Sequence, residues 1–243
     1  MRILLLCILF YSQYTFANFD WSDYSALLKK YVQSEERHGI QTNLVDYSGI
    51  SEDPLYSSLL DKLAVYDNNS LQGIDKLAFY INTYNVFAIK LVIDHQPKHS
   101  IKDIGSWFNP VWQKPAGVLN GQVVSLDTIE HKILRKMAEP RIHFAIVCAS
   151  LSCPDLRLEP YSSTLIDSQL NEQATNFINN SAKGMKIESE NIYISKIFDW
   201  FSEDFSDSDT EKETLKFISQ YNEAAAKYTH YKTLEYNWKL NKL

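Results

Sequence analysis

The 243-residue sequence contains few of the residues that mark specialised protein classes, with only 7 Gly, 7 Pro and 3 Cys. So little glycine and proline excludes a collagen-like chain and Pro-rich linker material. The net charge is −6 and no run of Lys or Arg is present, which argues against nucleic acid or an anionic membrane as the partner. The chain also lacks a Gly-rich phosphate loop and a Gly-x-Ser-x-Gly nucleophile motif.

The composition is that of a folded globular protein. Hydrophobic residues make up 45% of the chain, aromatic residues 13% and charged residues 22%, which excludes intrinsic disorder. A chain of this length accommodates one domain with a full-sized core, and no linker or internal repeat divides it. We therefore expect a single domain over residues 18–243.

The first 17 residues have the three regions of a secretory signal peptide. Met1-Arg2 supplies a positive charge, residues 3–10 form an uninterrupted apolar stretch, and Ala17 is a small residue at the expected cleavage position. The apolar stretch is too short to span a bilayer stably. The sequence thus predicts a secreted or periplasmic protein cleaved after Ala17, without an integral membrane segment; an uncleaved signal anchor is the alternative.

Hydrophobic periodicity predicts mostly helix with a few strands, an α+β domain packed around a small sheet and a buried central helix. The central helix is residues 75–94, which are apolar nearly all round, so its Asn82 and Asn85 need hydrogen-bond partners. The other predicted helices are 21–32, a stretch beginning at Asp53-Pro54, 125–137, 167–178, 196–205 and 210–226. The predicted strands are 141–148 and 192–195.

Residues 105–121 form an irregular stretch that carries Trp107 and Trp112. Long loops with aromatic side chains often line binding sites, so we expect both indoles to contribute to one. Simple burial, which pins a loop to the core, explains them equally well.

Three residues predict a nucleophilic site. Cys153 precedes Pro154, a typical first residue of a helix, and a helix N-terminus lowers a thiol pKa. His143 lies on the predicted strand 141–148, and Glu130 lies on the apolar face of the predicted helix before it. Together they suggest a nucleophile, a base and an orienting carboxylate. Cys148, on the apolar side of the strand, is expected to be inert.

Structural interpretations of the same residues remain open. In an oxidising compartment Cys148 and Cys153 favour a disulfide, and Glu130 is then half of a buried salt bridge with Arg141 or Arg157. A redox role for the cysteine pair is weaker, because the Cys-x-x-Cys spacing is absent. Neither a metal nor a cofactor is expected: Pro97 interrupts the helix that would align His95 with His99.

Six blocks of sequence resemble the domain-of-unknown-function 547 family, which occurs in bacterial secreted proteins. The blocks are residues 79–85 (FYINTYN), 125–131 (SLDTIEH), 141–148 (RIHFAIVC), 152–154 (SCP), 195–205 (SKIFDWFSEDF) and 236–241 (YNWKLN). The resemblance implies one α+β domain and supplies no reaction. The family's motifs contain the positions of Asn82, Asn85, Glu130, His131, His143 and Cys153. Ala149 stands here where glycine is frequent.

The sequence therefore favours a secreted cysteine-dependent hydrolase or acyl transferase with a small-molecule or peptide substrate carrying an amide or thioester. The catalytic residues would be Cys153, His143 and Glu130. The binding residues would be Asn82, Asn85, His131, Trp107 and Trp112. The alternative is a non-catalytic periplasmic binding or scaffold module with a structural Cys148–Cys153 disulfide.

Overall fold

The computed structural model describes residues 18–206, 208 and 210–243. The predicted signal peptide, residues 1–17, lies outside the described residues. Within them, no helix combines the length and apolar character needed to cross a membrane.

The described chain is an α+β fold dominated by helices, as predicted. The α-helices are α1 (Ser22–Tyr31), α2 (Tyr47–Glu52), α3 (Pro54–Val65), α4 (Gly73–His95), α5 (Leu126–Ile129), α6 (Ile166–Asn179), α7 (Lys196–Trp200), α8 (Ser202–Phe205) and α9 (Glu211–Ser219). The strands are β1 (Val32–Arg37), β2 (Ile40–Val45), β3 (Pro115–Leu119), β4 (Gln122–Ser125), β5 (Met185–Glu188), β6 (Asn191–Ile194) and β7 (Lys232–Thr233).

The described strands form three small sheets. β1 pairs with β2 and β3 with β4 as antiparallel hairpins, and β6 lies between antiparallel β5 and parallel β7. The hairpins were missed from the sequence because polar residues interrupt β1 and the apolar alternation in β3 and β4 is short. Most of the core is therefore built by helices and irregular segments.

Helix α4 is the central element of the fold. Its residues from Leu77 to Ile89 are all buried, which confirms the predicted central helix. One hydrophobic cluster surrounds it, and a second, which includes Phe144, Phe177 and Phe198, lies between α6, β6 and α9. Buried Asn82 and Asn85 on α4 each hold backbone groups of a neighbouring segment, as described below.

The prediction of a strand at residues 141–148 is wrong, because the structure has no strand there. Pro140–Phe144 is a 3₁₀ helix that begins with Pro140 in its first turn, and the Glu139 side chain caps it by accepting from the Arg141 N–H. The segment that follows is irregular and ends in Ala149, whose φ is +54°. Tertiary packing overrides the β-branched composition here, and the side chains no longer alternate between two faces.

The helix expected to begin at Pro154 is also absent, because residues 154–162 have no regular structure. Two other predicted helices are interrupted: 196–205 is divided into α7 and α8 at Phe201, and 210–226 stops as an α-helix at Ser219. The predicted helix 125–137 is helical throughout but changes type, becoming a π-helix over Glu130–Leu134 and a 3₁₀ helix over Arg135–Met137.

Candidate functional site

A cavity of about 420 Å³ gathers the chemically active side chains. Its walls are largely aromatic. Its acids, histidines and cysteines come from α5 and the π-helical turn that follows it, from the 3₁₀ helix at Pro140, and from the loop after that helix. The lining residues are Tyr84, Lys102, Trp112, Asp127, Glu130, His131, His143, Ile146, Cys148, Cys153, Pro154, Ile197, Trp200, Phe201, Tyr236 and Trp238. Another cavity, of about 440 Å³ near the start of α1, contains no cysteine or histidine in its lining.

Cys148 has the environment of a stabilised thiolate. Its Sγ lies 3.1 Å from the Ser150 hydroxyl and 3.2 Å from the Tyr236 hydroxyl. Burial would raise the pKa of the Cys148 thiol, but hydrogen bonds from Cys153, Ser150 and Tyr236 outweigh it and lower the pKa below its ordinary value. The expectation that Cys148 is inert is therefore corrected.

Cys153 has the opposite environment. It is buried, and its Sγ accepts a hydrogen bond from the Cys148 backbone N–H at 2.7 Å. Burial and the neighbouring Cys148 raise the pKa of the Cys153 thiol well above its ordinary value, and the backbone N–H bond, which favours the thiolate, does not offset them. Both cysteines are free thiols, so the disulfide of the scaffold interpretation is not present. The feature meant to activate Cys153, a helix start at Pro154, is missing.

The loop that carries Cys148, residues 145–151 and here called the Cys148 loop, is held on two sides. The C-terminal segment pairs with it: Leu151 N–H donates to the Lys239 carbonyl at 2.9 Å and Asn241 N–H to the Ala149 carbonyl at 3.2 Å. Ala149 takes the left-handed conformation, which non-glycine residues seldom adopt and which is frequent at functional sites. This turn brings the Ser150 hydroxyl back onto the Cys148 sulfur.

Asn85 holds the same loop from the core side. Its Oδ1 accepts from the Val147 N–H at 2.9 Å, and its Nδ2 donates to the Ala145 carbonyl at 3.0 Å. Asn82 makes the equivalent pair of bonds with the N–H and carbonyl of Tyr161, both at 2.8 Å. Both amides are buried and occupied by backbone groups, so the structure gives them a positioning role in place of the expected ligand contact.

His143 is oriented by Asp204. Its Nε2 lies 2.7 Å from Asp204 Oδ2, and its ring stacks on Phe201 with centroids 4.1 Å apart. Arg135 donates two hydrogen bonds to the same carboxylate, from Nε to Oδ2 at 2.6 Å and from Nη2 to Oδ1 at 2.9 Å. Sequence reasoning missed Asp204 and Arg135, although Asp204 belongs to a block that resembles the family's motifs.

The charge states of this cluster follow from burial and pairing. Burial opposes ionisation of Asp204, yet the bonds from His143 and Arg135 lower its pKa. Burial also lowers the pKa of His143 despite the Asp204 carboxylate. At neutral pH a neutral His143 therefore donates Nε2–H to an ionised Asp204, which leaves the Nδ1 lone pair as the basic position.

Glu130 is buried, as its position on the apolar face predicted, but its partner is the Tyr84 hydroxyl at 3.1 Å. The expected salt bridges do not form, because Arg141 pairs with Glu139 and Asp167, and Arg157 with Glu159 and Glu172. Burial raises the pKa of Glu130 to about 7. A carboxyl with this pKa gives and takes a proton near neutral pH.

Glu130 is expected to reduce the stability of the folded protein at neutral and alkaline pH relative to acidic pH. Because its pKa in the folded protein is raised from 4.5 to about 7, the protonated form favours folding, and that contribution is lost as pH rises across this interval. Glu130→Gln, which cannot ionise, should change stability little at pH 4 and raise it by about 3 kcal/mol at pH 8. Urea unfolding of both proteins at the two pH values measures this; an equal difference at pH 4 and pH 8 contradicts it.

The remaining predicted binding residues divide into two groups. His131 and Trp112 line the cavity: His131 Nδ1 accepts from Arg135 Nη1 at 3.0 Å, and the Trp112 ring lies 6.5 Å from that of Trp238. Trp107 does not line it and projects into solvent. One wall of the cavity is a contiguous set of aromatic rings with centroids 4.6–5.6 Å apart, formed by Trp200, Tyr236 and Trp238. None of these three residues was predicted from the sequence to bind a ligand.

The predicted triad thus shares one cavity without forming the hydrogen bonds of a triad. His143 is bonded to Asp204, Glu130 to Tyr84, and the Cys153 sulfur to the backbone of Cys148. Among the described residues, no group of three or more His, Cys, Asp or Glu side chains is arranged to hold a metal ion. The arrangement instead offers one stabilised thiol, one oriented imidazole and one carboxyl with a pKa near 7.

Comparison with known proteins supports the family resemblance. A family model described as "Protein of unknown function, DUF547" matches residues 69–178, a range that contains four of the six similar blocks as well as Cys148 and His143. Neither the curated proteins nor the solved structures include a match to this chain. The resemblance carries no reaction with it, so any function has to be argued from the site.

Proposed function

We propose that the protein is a cysteine-dependent acyl-transfer enzyme, a hydrolase or acyl transferase acting on a thioester or amide, with Cys148 as the nucleophile. The observation that carries this proposal is the position of the Cys148 sulfur: it lies on the wall of an aromatic cavity with two hydroxyl groups at 3.1 and 3.2 Å. A thiol with a lowered pKa attacks carbonyl carbon without a base to ionise it.

The first half-reaction forms an acyl-enzyme. The Cys148 thiolate attacks the substrate carbonyl carbon, an S–C bond forms, and the bond to the leaving thiol or amine breaks. Protonated Glu130 gives its proton to the leaving group and becomes a carboxylate. Its pKa of about 7 suits this step, because the acid form is populated at neutral pH and gives up its proton readily.

The second half-reaction releases the acyl group. Neutral His143, held through Nε2 by Asp204, accepts a proton at Nδ1 from water or from an acceptor alcohol or amine. The oxygen or nitrogen attacks the thioester carbonyl, and the S–C bond breaks to regenerate the Cys148 thiolate. The proton on His143 then returns to Glu130 through solvent. Asp204 and Arg135 position His143 and do not touch the reacting atoms.

Trapping of the acyl-enzyme tests the proposal. The purified protein is mixed with a short-chain aryl thioester, quenched in acid and digested, and the peptides containing Cys148 and Cys153 are analysed by mass spectrometry. The expected result is an acyl adduct on Cys148 that disappears when hydroxylamine is added. Absence of any adduct on Cys148, or a Cys148–Cys153 disulfide in protein purified without reductant, contradicts it and favours the scaffold interpretation.

We also propose that the enzyme acts outside the cytoplasm, with Asn18 as its mature N-terminus. The basis is the charged, apolar and small-residue order of residues 1–17. Intact-mass measurement of the exported protein should show a chain beginning at Asn18. A chain that retains Met1 to Ala17 contradicts the cleavage.

A further inference from the structure

A small protruding turn lies beside the cavity. Ser106 and Asn109 close it with reciprocal backbone hydrogen bonds: Ser106 N–H donates to the Asn109 carbonyl at 2.9 Å, and Asn109 N–H to the Ser106 carbonyl at 3.3 Å. The Asn109 N–H also donates to the Ser106 hydroxyl oxygen at 3.1 Å. The two residues at the tip are Trp107 and Phe108, which are 92% and 93% exposed. We call residues 105–110 the aromatic finger.

The aromatic finger is held in place by its base. A Cβ atom on Gly105 would lie 2.5 Å from the Val111 backbone nitrogen, so the two arms of the finger approach as closely as only glycine permits. On one side Ile101 is fully buried, and on the other Val111 is buried. The fold therefore presents two large aromatic side chains to solvent on an ordered turn.

Such exposure is costly in water. Adjacent Trp and Phe side chains with almost no contact to the protein keep nearly all their apolar surface hydrated, and exposed apolar groups of this kind mark interaction sites. The tip is a convex protrusion with polar Ser106 and Asn109 beside it. A convex tip of this shape is better suited to insertion between lipid headgroups than to docking on a flat, closely packed protein interface.

The charge around the aromatic finger has the sign opposite to that of the whole chain. The segment 98–114 carries Lys98, Lys102 and Lys114 against a single acid, Asp103, whereas the chain has a net charge of −6. Asp103 is engaged as a helix cap, accepting from the backbone N–H groups of His99 and Ser100. The overall charge makes an anionic membrane an unexpected partner for the chain as a whole, but the local excess of lysine at the aromatic finger complements an anionic surface.

We infer that the aromatic finger anchors the protein peripherally to an anionic phospholipid bilayer, with Trp107 and Phe108 in the interfacial layer and Lys98 and Lys114 among the headgroups; Lys102 lies over the Trp238 ring at the cavity, 4.5 Å from its centre. Tryptophan is enriched at this depth in membrane proteins, and each basic residue near an anionic surface adds attraction. Lys102 and Trp112, on either side of the finger in the chain, both line the cavity, so a bound bilayer would lie beside it. The inference does not depend on the reaction of Cys148.

Vesicle sedimentation tests the anchoring. The purified protein is mixed with vesicles of phosphatidylethanolamine and phosphatidylglycerol at 3:1, or of phosphatidylcholine alone, and the bound fraction is measured at low and high salt. We expect binding to the anionic vesicles that weakens in high salt and is at least tenfold weaker with phosphatidylcholine. The double variant Trp107→Ser/Phe108→Ser should lose at least tenfold of the binding, and Lys98→Glu should weaken it.

A matched control removes apolar surface elsewhere. Val65 and Ile74 are 81% and 56% exposed and lie outside the finger, so Val65→Ser/Ile74→Ser should bind as the unmodified protein does. All variants change exposed side chains and should keep their melting temperatures. Failure of the unmodified protein to bind anionic vesicles, equal binding to phosphatidylcholine, or equal losses in the two double variants overturns the inference. A finger-dependent dimer in sedimentation velocity without vesicles overturns it in favour of a second copy of the chain.

Discussion

Replacement of Cys148 by Ser is expected to reduce turnover of an aryl thioester by about 10³-fold or more, because it removes the nucleophile through which both half-reactions pass. The acyl adduct should vanish with it. The substitution keeps a hydrogen-bonding side chain of similar size between Ser150 and Tyr236, so the fold should be retained. Steady-state kinetics and the mass of the quenched protein measure the effect.

Cys153→Ser is the matched control. Cys153 is a buried thiol with a raised pKa. Its sulfur accepts a hydrogen bond from the Cys148 backbone N–H, and a serine oxygen at this position can accept the same bond. We expect this variant to keep the adduct on Cys148 and to retain turnover within about tenfold, allowing for the loss of its hydrogen bond to the thiolate. Loss of turnover in Cys153→Ser with retention in Cys148→Ser would reverse the assignment of the nucleophile.

Asn85→Ala is expected to lower the free energy of unfolding by about 2–6 kcal/mol. The buried amide holds both the Val147 N–H and the Ala145 carbonyl, and its removal leaves two buried backbone groups without a partner, at about 1–3 kcal/mol each. The same loss frees the loop that carries Cys148. Urea denaturation measures the first effect, and the rate of Cys148 alkylation under native conditions measures the second.

Asn82→Ala separates the two effects. Asn82 makes equivalent bonds to Tyr161, so its loss should destabilise the protein by a similar amount. It does not touch residues 145–148, and alkylation of Cys148 should stay unchanged while the protein is folded. If both variants alter the alkylation rate equally, Asn85 has no particular role in positioning the Cys148 loop.

The central helix α4 was predictable because its signal is local and continuous. Twenty consecutive residues that are apolar nearly all round specify a buried helix, and the unpaired amides of Asn82 and Asn85 already required partners there. What the sequence could not indicate was that those partners are backbone groups of the segments around Ala145 and Tyr161. The bonded residues are 60 and 79 positions apart in the chain, and contacts over such separations leave no periodic pattern in the sequence.

The site was harder to predict because one error in local structure reversed the roles of two cysteines. If residues 141–148 formed a strand, Cys148 would lie on its apolar face. In the structure the segment begins as a 3₁₀ helix and ends in a left-handed turn at Ala149, and this backbone brings the Cys148 sulfur to the cavity. The cue that was available is Ala149 at a position where the similar family often has glycine. Such a position indicates a backbone conformation with positive φ next to the cysteine.

The carboxylate that orients His143 was missed for a related reason. Asp204 is 61 residues away in sequence and reaches the imidazole only because Phe201 ends α7 and allows α8 to turn towards it. Glu130 was correctly expected to be buried. The start of a π-helix at Glu130 is not visible in the hydrophobic pattern, and π-helical turns are frequent at functional sites.

The most direct test of the central claim is the pH dependence of iodoacetamide labelling, followed separately for the two cysteines by mass spectrometry under mild reduction. Cys148 should label with a midpoint below the roughly 8.5 of a free thiol, and Tyr236→Phe, which removes one donor to its sulfur, should raise that midpoint. Cys153 should label slowly and only at higher pH. Faster labelling of Cys153 than of Cys148, or a Cys148 midpoint at or above that of a free thiol, would contradict Cys148 as the nucleophile.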